Sequence, residues 1–299
     1  MRSVKSKTSE SSQYKLMRNG VIKIERECPN IFAEYKPAKI PDYLSAVDHT
    51  LKIGSKKEYK KHLCKQMKLF NEYVHEMKEL NLSLIIALQG RDGAGKTGTV
   101  TTLDTALWHD YRIFKSVPMG PPTEEEIAHP YLWRMSRYDH MPSYGQVRVF
   151  DRTWQERVLV EKVMDLTQEH KLRKSYAELR NFEWGLARHG SILVKIWLDI
   201  THEEQGRRFE ERVKSKPGKK SKSDDVARAH WNDYTPAANE LFYRCGTKQS
   251  PQYVISSEDK SYCHIAVLEV INHELRRRIR KAKEEMKRNE SGKKSKGKK

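Results

Sequence analysis

Residues 84–101 read LIIALQGRDGAGKTGTVT, and this stretch decides the fold. Its apolar, branched beginning is the pattern of a parallel strand buried on both faces. The loop that follows carries Gly90, Gly95, Lys96 and Thr97 in the spacing G-x-x-x-x-G-K-[ST], with Gly93 between. Glycines let the backbone curl so that successive N–H groups point inward. A helix starting near Lys96 would present its positive end to the same spot. Lys96 is placed to reach terminal phosphate oxygens and Thr97 to ligate Mg²⁺. Asp92 lies inside the loop, where a carboxylate among phosphates is repulsive unless a cation stands between them. It reads either as a turn former or as a metal ligand that aligns an attacking phosphate oxygen.

Working outward, strands and helices alternate. Before the loop, Tyr59, Leu63, Met67, Phe70, Val74 and Met77 recur at intervals of three and four, which predicts an amphipathic helix over 55–79. After it come a helix from Lys96 to about His109 and a strand in YRIFKSVP. Thr123 with Glu126 marks a capping box. A third strand lies in QVRVFDR, with helices expected over about 155–166 and 175–189. SILVKIWLDI is a fourth strand, and Thr201 with Glu204 suggests another capping box. A helix is expected across 226–242 with a break or kink at Pro236. PQYVISS is a fifth strand, and a last helix starts near Ser261. Such alternation predicts a three-layer α/β/α parallel sheet. Residues 1–50 read as a partly irregular arm, 51–280 as the folded domain with a helical lid at about 205–235, and 281–299 as a basic disordered tail.

Asp151 ends the third strand, where a phosphate-loop enzyme keeps the acid that holds Mg²⁺. Ligands of open α/β sheets lie beyond the carboxyl ends of strands, so Asp151 and the loop should face one crevice. Arg152 and Arg157 follow at once. Their guanidinium forks match the equatorial oxygens of a transferring phosphate.

The chain of 299 residues carries a net charge of +18. Residues 276–299 hold 13 Lys or Arg against 3 Glu, a net of +10, so about +8 belongs to the rest. A surplus of that size implies a polyanionic partner. Cys28, Cys64, Cys245 and Cys263 form no CxxC, which disfavours a zinc ribbon or a disulfide framework and points to a reducing compartment, the cytoplasm. The first residues lack the apolar core of a secretory signal, and no apolar run approaches the roughly 18 residues of a membrane helix. His129, His140 and His230 lack ligand spacing with one another.

The segments GRDGAGKTGTV, PPTEEEIAHPYLWR, VRVFDRTWQERVLVEKVM, VKIWLDITHEEQGRRFEER and WNDYTPAANELF resemble, in this order, the family-2 polyphosphate kinases. The resemblance covers about residues 56–280. The FDR-T-W and EEQGRRFEER segments are far more specific to it than the phosphate loop. It implies a P-loop kinase-like fold and phosphate transfer between inorganic polyphosphate and a nucleoside mono- or diphosphate, with Mg²⁺ as cofactor. Catalysis would rest on Asp92, Lys96, Asp151 and Arg152. Asp92, Asp151 and Thr97 would hold the metal. Arg157 would hold the transferring phosphate or the polymer, Arg134 and Arg137 would line the polymer's path, and Arg208 and Arg212 would sit on the lid helix. It further implies a dimer or tetramer, and the lack of a long apolar run leads us to expect no membrane partner. The motifs look more like the AMP-using and dual-acceptor members than the strictly ADP-using ones. Thr97, Gln155, His264, the lid segment KSKPGKKSKSDD and SPQ at 250–252 depart from the usual pattern. Two other readings stay open: a P-loop kinase with a different small acceptor, and a polyanion- or nucleic-acid-binding protein with a vestigial loop, which the basic tail favours only slightly.

Overall fold

A computed structural model describes residues 14–28, 30, 39–215 and 222–296, with side chains through residue 289 apart from 222 and 223. The core is a parallel sheet. Strand β3 (Ser83–Gly90) lies at its centre, between β5 (Val147–Asp151) and β6 (Ser191–Asp199). β4 (Phe114–Pro118) pairs with the outer side of β5, and β7 (Gln252–Ser256) with that of β6. Alternate residues of β3 enter two separate cores: Leu84, Ile86 and Leu88 face one, Ile85 and Ala87 the other. The period-two split follows from the pleat, and it explains why the strand is apolar throughout.

Helices cover both faces. On the first lie α1 (Lys56–Glu79), α2 (Lys96–Ala106) and α9 (Lys260–Lys296), with Phe70, Leu103 and Leu268 buried among them. On the second lie α5 (Glu169–Arg188) and α8 (Trp231–Cys245), which bury Leu179 and Phe242. Shorter pieces complete the chain: α3 (Glu124–Ile127), α4 (Val160–Val163), α6 (His202–Ser215) and α7 (Lys222–Ala229). Ser55 caps α1 by accepting from the Glu58 N–H, and the Thr123–Glu126 capping box forms in both directions.

Several expectations need correction. The arm, expected to be partly irregular, carries two strands that were not foreseen. Lys15–Leu16 (β1) and Ile22–Ile24 (β2) extend the sheet, β2 pairing antiparallel with β7, so the sheet is mixed at this edge. Val21, Ile22 and Ile24 are fully buried there, which offsets the cost of ordering the segment. The helix expected over 155–166 is a 3₁₀ turn, Trp154–Val158, followed by the single turn α4. The helix expected over 175–189 starts earlier, at Glu169. The second capping box is half made: Thr201 Oγ1 accepts from the Glu204 N–H, but the Thr201 N–H donates to Glu258. Glu204 is drawn instead to Arg207 and Arg208. Pro236 sits inside α8, and the break falls at His230, between α7 and α8. The Thr235 hydroxyl and Arg91 both reach the Trp231 carbonyl, supplying donors in the turn before the proline. The segment read as a disordered tail continues α9 as far as Lys296. A helix already nucleated against a core adds turns cheaply. Arg280–Glu284 and Lys281–Glu285 pairs support these, as does an ion pair of Lys283 with Glu76 on α1. The basic segment 216–221 and residues 297–299 lie outside the described residues.

Candidate active site

The loop after β3 closes because three of its glycines take left-handed angles. Gly90 has φ +150°, and a Cβ there would strike the Leu198 carbonyl of the neighbouring strand. Gly95 has φ +94° and caps α2 without a side chain, leaving the helix's first N–H groups facing the cleft. The third, Gly93, offers its carbonyl to Arg208 Nη1 at 3.0 Å. Lys96 Nζ folds back over the loop, donating to the Gly90 carbonyl at 2.8 Å and the Arg91 carbonyl at 3.2 Å. It also lies 3.5 Å from Asp92 Oδ1.

Asp151 ends β5 next to the loop, and Arg152 follows with φ +62°. A non-glycine residue in this region costs on the order of 1–3 kcal/mol, so the surrounding structure must hold it there. The Arg152 N–H donates to the Leu88 carbonyl at 3.2 Å, and its Nη2 stands 3.4 Å from Asp92 Oδ1. Behind the turn, Gln89 Nε2 donates to Thr153 Oγ1 at 3.2 Å. Trp154 is fully buried, with Nε1 donating to Glu183 Oε1 at 3.0 Å. Glu183 in turn pairs at 2.6 Å with Lys195, which is fully buried in β6 and also donates to the Cys245 carbonyl.

Two hollows flank the loop. One is a cleft lined by Asp92, Gly93, Gly95, Lys96, Thr97, Asp151 and Arg152, with Arg208 and Arg212 from α6 and Lys260 from α9. Arg208 is held by Glu204 and the Ser257 carbonyl, both at 2.6 Å, and Arg212 by Asp224 at 3.0 Å. The other is a pocket on the opposite side of Lys96 and Arg152, walled by Trp197, Trp231, Tyr234, Leu159 and Val160. Glu156 and Gln205 supply polar groups there. Burial pushes the Glu156 carboxyl above its ordinary range, although Arg152 and Lys96 oppose this. Arg91 is buried between Asp199, at 3.0 Å, and the Trp231 ring, 3.7 Å from its centroid. The same burial lowers its pKa, and Asp199 works against the shift.

Thus Asp92, Lys96, Thr97, Asp151, Arg152, Arg208 and Arg212 come together with Gly90, Gly93 and Gly95. Three expected arginines do not line either hollow. Arg157 pairs with Glu161 at 2.5 Å and lies over the Tyr131 ring. Arg134 is bound to the Gly120 carbonyl at 2.9 Å and to Glu126, and Arg137 is near Glu126 and Asp139. Carboxylates close in sequence claim all three. Glu156, Gln205, Arg91 and Lys260 were missed. Glu156 lies within the FDR-T-W-Q-E segment, which could have drawn attention to it.

Residues 53–284 match the family model of polyphosphate kinase 2 (PPK2). The chain belongs to the polyphosphate kinase 2 family. Among its relatives, a polyphosphate:AMP phosphotransferase of Pseudomonas syringae is 34% identical over 234 residues, 78% of this chain and 46% of the relative. This chain therefore spans about half the length of the curated relatives it matches first. An ADP-polyphosphate phosphotransferase 3 of Rhizobium meliloti is 30% identical over 229 residues, covering 76% of this chain and 79% of that protein. The crystal structure of polyphosphate kinase 2 from Arthrobacter aurescens TC1 superposes with a TM-score of 0.73 at 31% identity, over 78% of this chain and 84% of that one. The likeness identifies the three-layer α/β/α arrangement as the P-loop kinase-like fold of PPK2 structures.

Proposed function

We propose that this polyphosphate kinase 2 homologue transfers phosphoryl groups between inorganic polyphosphate and a nucleoside mono- or diphosphate. The observation that carries this reading is the pair of hollows meeting at Lys96 and Arg152. The cleft, with Arg208, Arg212 and Lys260 along it, suits a chain of phosphates. The pocket suits a nucleoside: it is walled by aromatic and aliphatic groups, and Gln205 Oε1 is buried there without a hydrogen-bond partner among the described residues.

In this reading, a terminal phosphate oxygen of the acceptor attacks the end phosphorus of the polymer. A new P–O bond forms, the bond to the next phosphate breaks, and the shortened chain leaves with the electron pair. Lys96 exchanges its loop carbonyls for phosphate oxygens, and Arg152 meets the charge on the transferring group. Asp92, Asp151 and Thr97 supply hard oxygen donors on one wall of the cleft. Among the described residues no three His, Cys, Asp or Glu cluster as a complete metal cage. That fits Mg²⁺, which binds through one or two carboxylates together with substrate phosphates. These three residues would hold the ion, which neutralises phosphate charge when bound. α6 and α7 would act as the lid.

No helix among the described residues is long and apolar enough to cross a membrane. The assembly expected from the motifs is a dimer or tetramer, which sedimentation would decide. The function is tested by incubating the protein with polyphosphate, Mg²⁺ and either AMP or ADP and resolving the products. Formation of the next higher phosphate supports the reading. No transfer to either acceptor ends it.

A further inference from the structure

A second basic hollow lies at the other end of the sheet. It borders Leu82, immediately before the amino end of β3, whereas the phosphate loop follows its carboxyl end. Five cations line it from three parts of the chain: Arg188 at the end of α5, Lys248 before β7, and Arg277, Arg278 and Lys281 on α9. Glu285 is the one carboxylate in the lining. Arg277, Lys248 and Lys281 have acidic partners in Glu274, Glu27 and Glu285. Among the described residues the side chains of Arg188 and Arg278 make no hydrogen bond or ion pair; Arg188 only covers the Trp184 ring, 4.7 Å from its centroid. Arg278 is half-buried, and burial with the neighbouring Arg277 disfavours its charged form. Glu285 and Glu274 work against that shift, and a bound anion would add to them.

We propose that this groove, about 420 Å³ in volume, is a second polyanion site that holds a distal stretch of the polyphosphate chain. The inference rests on the proposed function. Lys260, in the cleft, and Arg278, in the groove, are on one helix, roughly 25–30 Å apart at the helical rise. A long polymer engaged at both ends gains effective concentration at the cleft, and a short one cannot. Nucleic acid fits less well, because the one aromatic side chain in the lining, Trp184, already has Arg188 over its ring and offers little stacking surface.

The test compares wild type with the double variant Arg188→Glu/Lys281→Glu, both at exposed positions, and with Arg278→Gln. KM is measured for long-chain polyphosphate and for tripolyphosphate. The expected result is a rise of about ten-fold or more in KM for the long chain, with KM for tripolyphosphate and kcat unchanged. Equal effects on both donors, or none, overturn the proposal while leaving the function standing. Should wild type transfer phosphate from neither donor, the functional reading fails, and direct titration with long-chain polyphosphate still decides the groove. Variants that bind the polymer as tightly as wild type overturn it. So do variants that lose single-stranded RNA binding alone.

Discussion

Arg152 Nη2 lies 3.4 Å from Asp92 Oδ1, which joins the turn after β5 to the loop after β3. The same Asp92 oxygen is 3.5 Å from Lys96 Nζ. One carboxylate therefore holds two cations at the meeting point of cleft and pocket.

Lys96→Ala and Asp151→Asn are each expected to lower kcat by about 10²–10³ or more, the usual loss when a preorganised electrostatic group is removed. Circular dichroism should remain that of wild type. A variant with near-normal transfer would remove its residue from the mechanism.

Arg152 separates stability from function. Its φ of +62° favours glycine, so Arg152→Gly relieves backbone strain while Arg152→Ala keeps it. Both variants should lose transfer. The glycine variant should nonetheless be about 1 kcal/mol more stable than the alanine variant in urea unfolding. Equal stabilities would mean that the turn relaxes without the arginine.

That β3 to β7 run parallel was legible because these five strands are short, alternate with helices and are bounded by turn residues, and because the phosphate loop announces its own conformation. The convergence of Asp92, Lys96 and Asp151 on one cleft was legible for the same reason, because each stands at a fixed spacing at or after the end of a strand. Arg157 was not, because its partners Glu161 and Tyr131 compete for it through contacts that linear order hides. Residues 22–24 were missed since IKI, among polar neighbours, becomes a strand only when the edge of β7 is present. Arg91 was missed because nothing in its local sequence marks it, and only the fold supplies Asp199 and Trp231 around it.

Lys195 illustrates a buried charge whose value lies behind the site. It pairs with Glu183, which receives the Trp154 N–H. Lys195→Met leaves Glu183 buried without a cation and is expected to cost about 3–5 kcal/mol in urea unfolding. Trp154→Phe removes one hydrogen bond and should cost about 1–3 kcal/mol. The double variant Lys195→Met/Glu183→Leu should recover part of the first loss, because no isolated charge remains. A double variant as unstable as the sum of its parts would argue against the pairing.

Thiol chemistry offers a check on the packing. Cys64 is exposed on α1, whereas Cys28, Cys245 and Cys263 are buried. Burial pushes the Cys245 and Cys263 thiols up to about 12, so few thiolates form there at neutral pH. Native protein should react rapidly with a maleimide at one thiol, lost in Cys64→Ser, and at all four only after unfolding. Fast labelling of Cys263 would show that α9 is not seated against α2.

Glu156 gives the pH dependence. In the folded chain its carboxyl is harder to ionise than in the unfolded chain, chiefly because it is desolvated, so its folded pKa lies above the ordinary 4.5. Below that ordinary value both states are protonated and nothing is lost. As pH rises through the folded pKa, the folded state is charged at a cost that the unfolded state does not bear, and stability falls. Glu156→Gln keeps the size and a hydrogen-bond donor for the pocket but cannot ionise. It is therefore expected to be more stable than wild type at neutral pH, by a margin that narrows as the solution is acidified. Unfolding in urea across this range, with a chelator present, measures the margin. A constant difference between the two proteins would mean that Glu156 ionises as easily in the pocket as in water, and that Arg152 and Lys96 offset its burial in full.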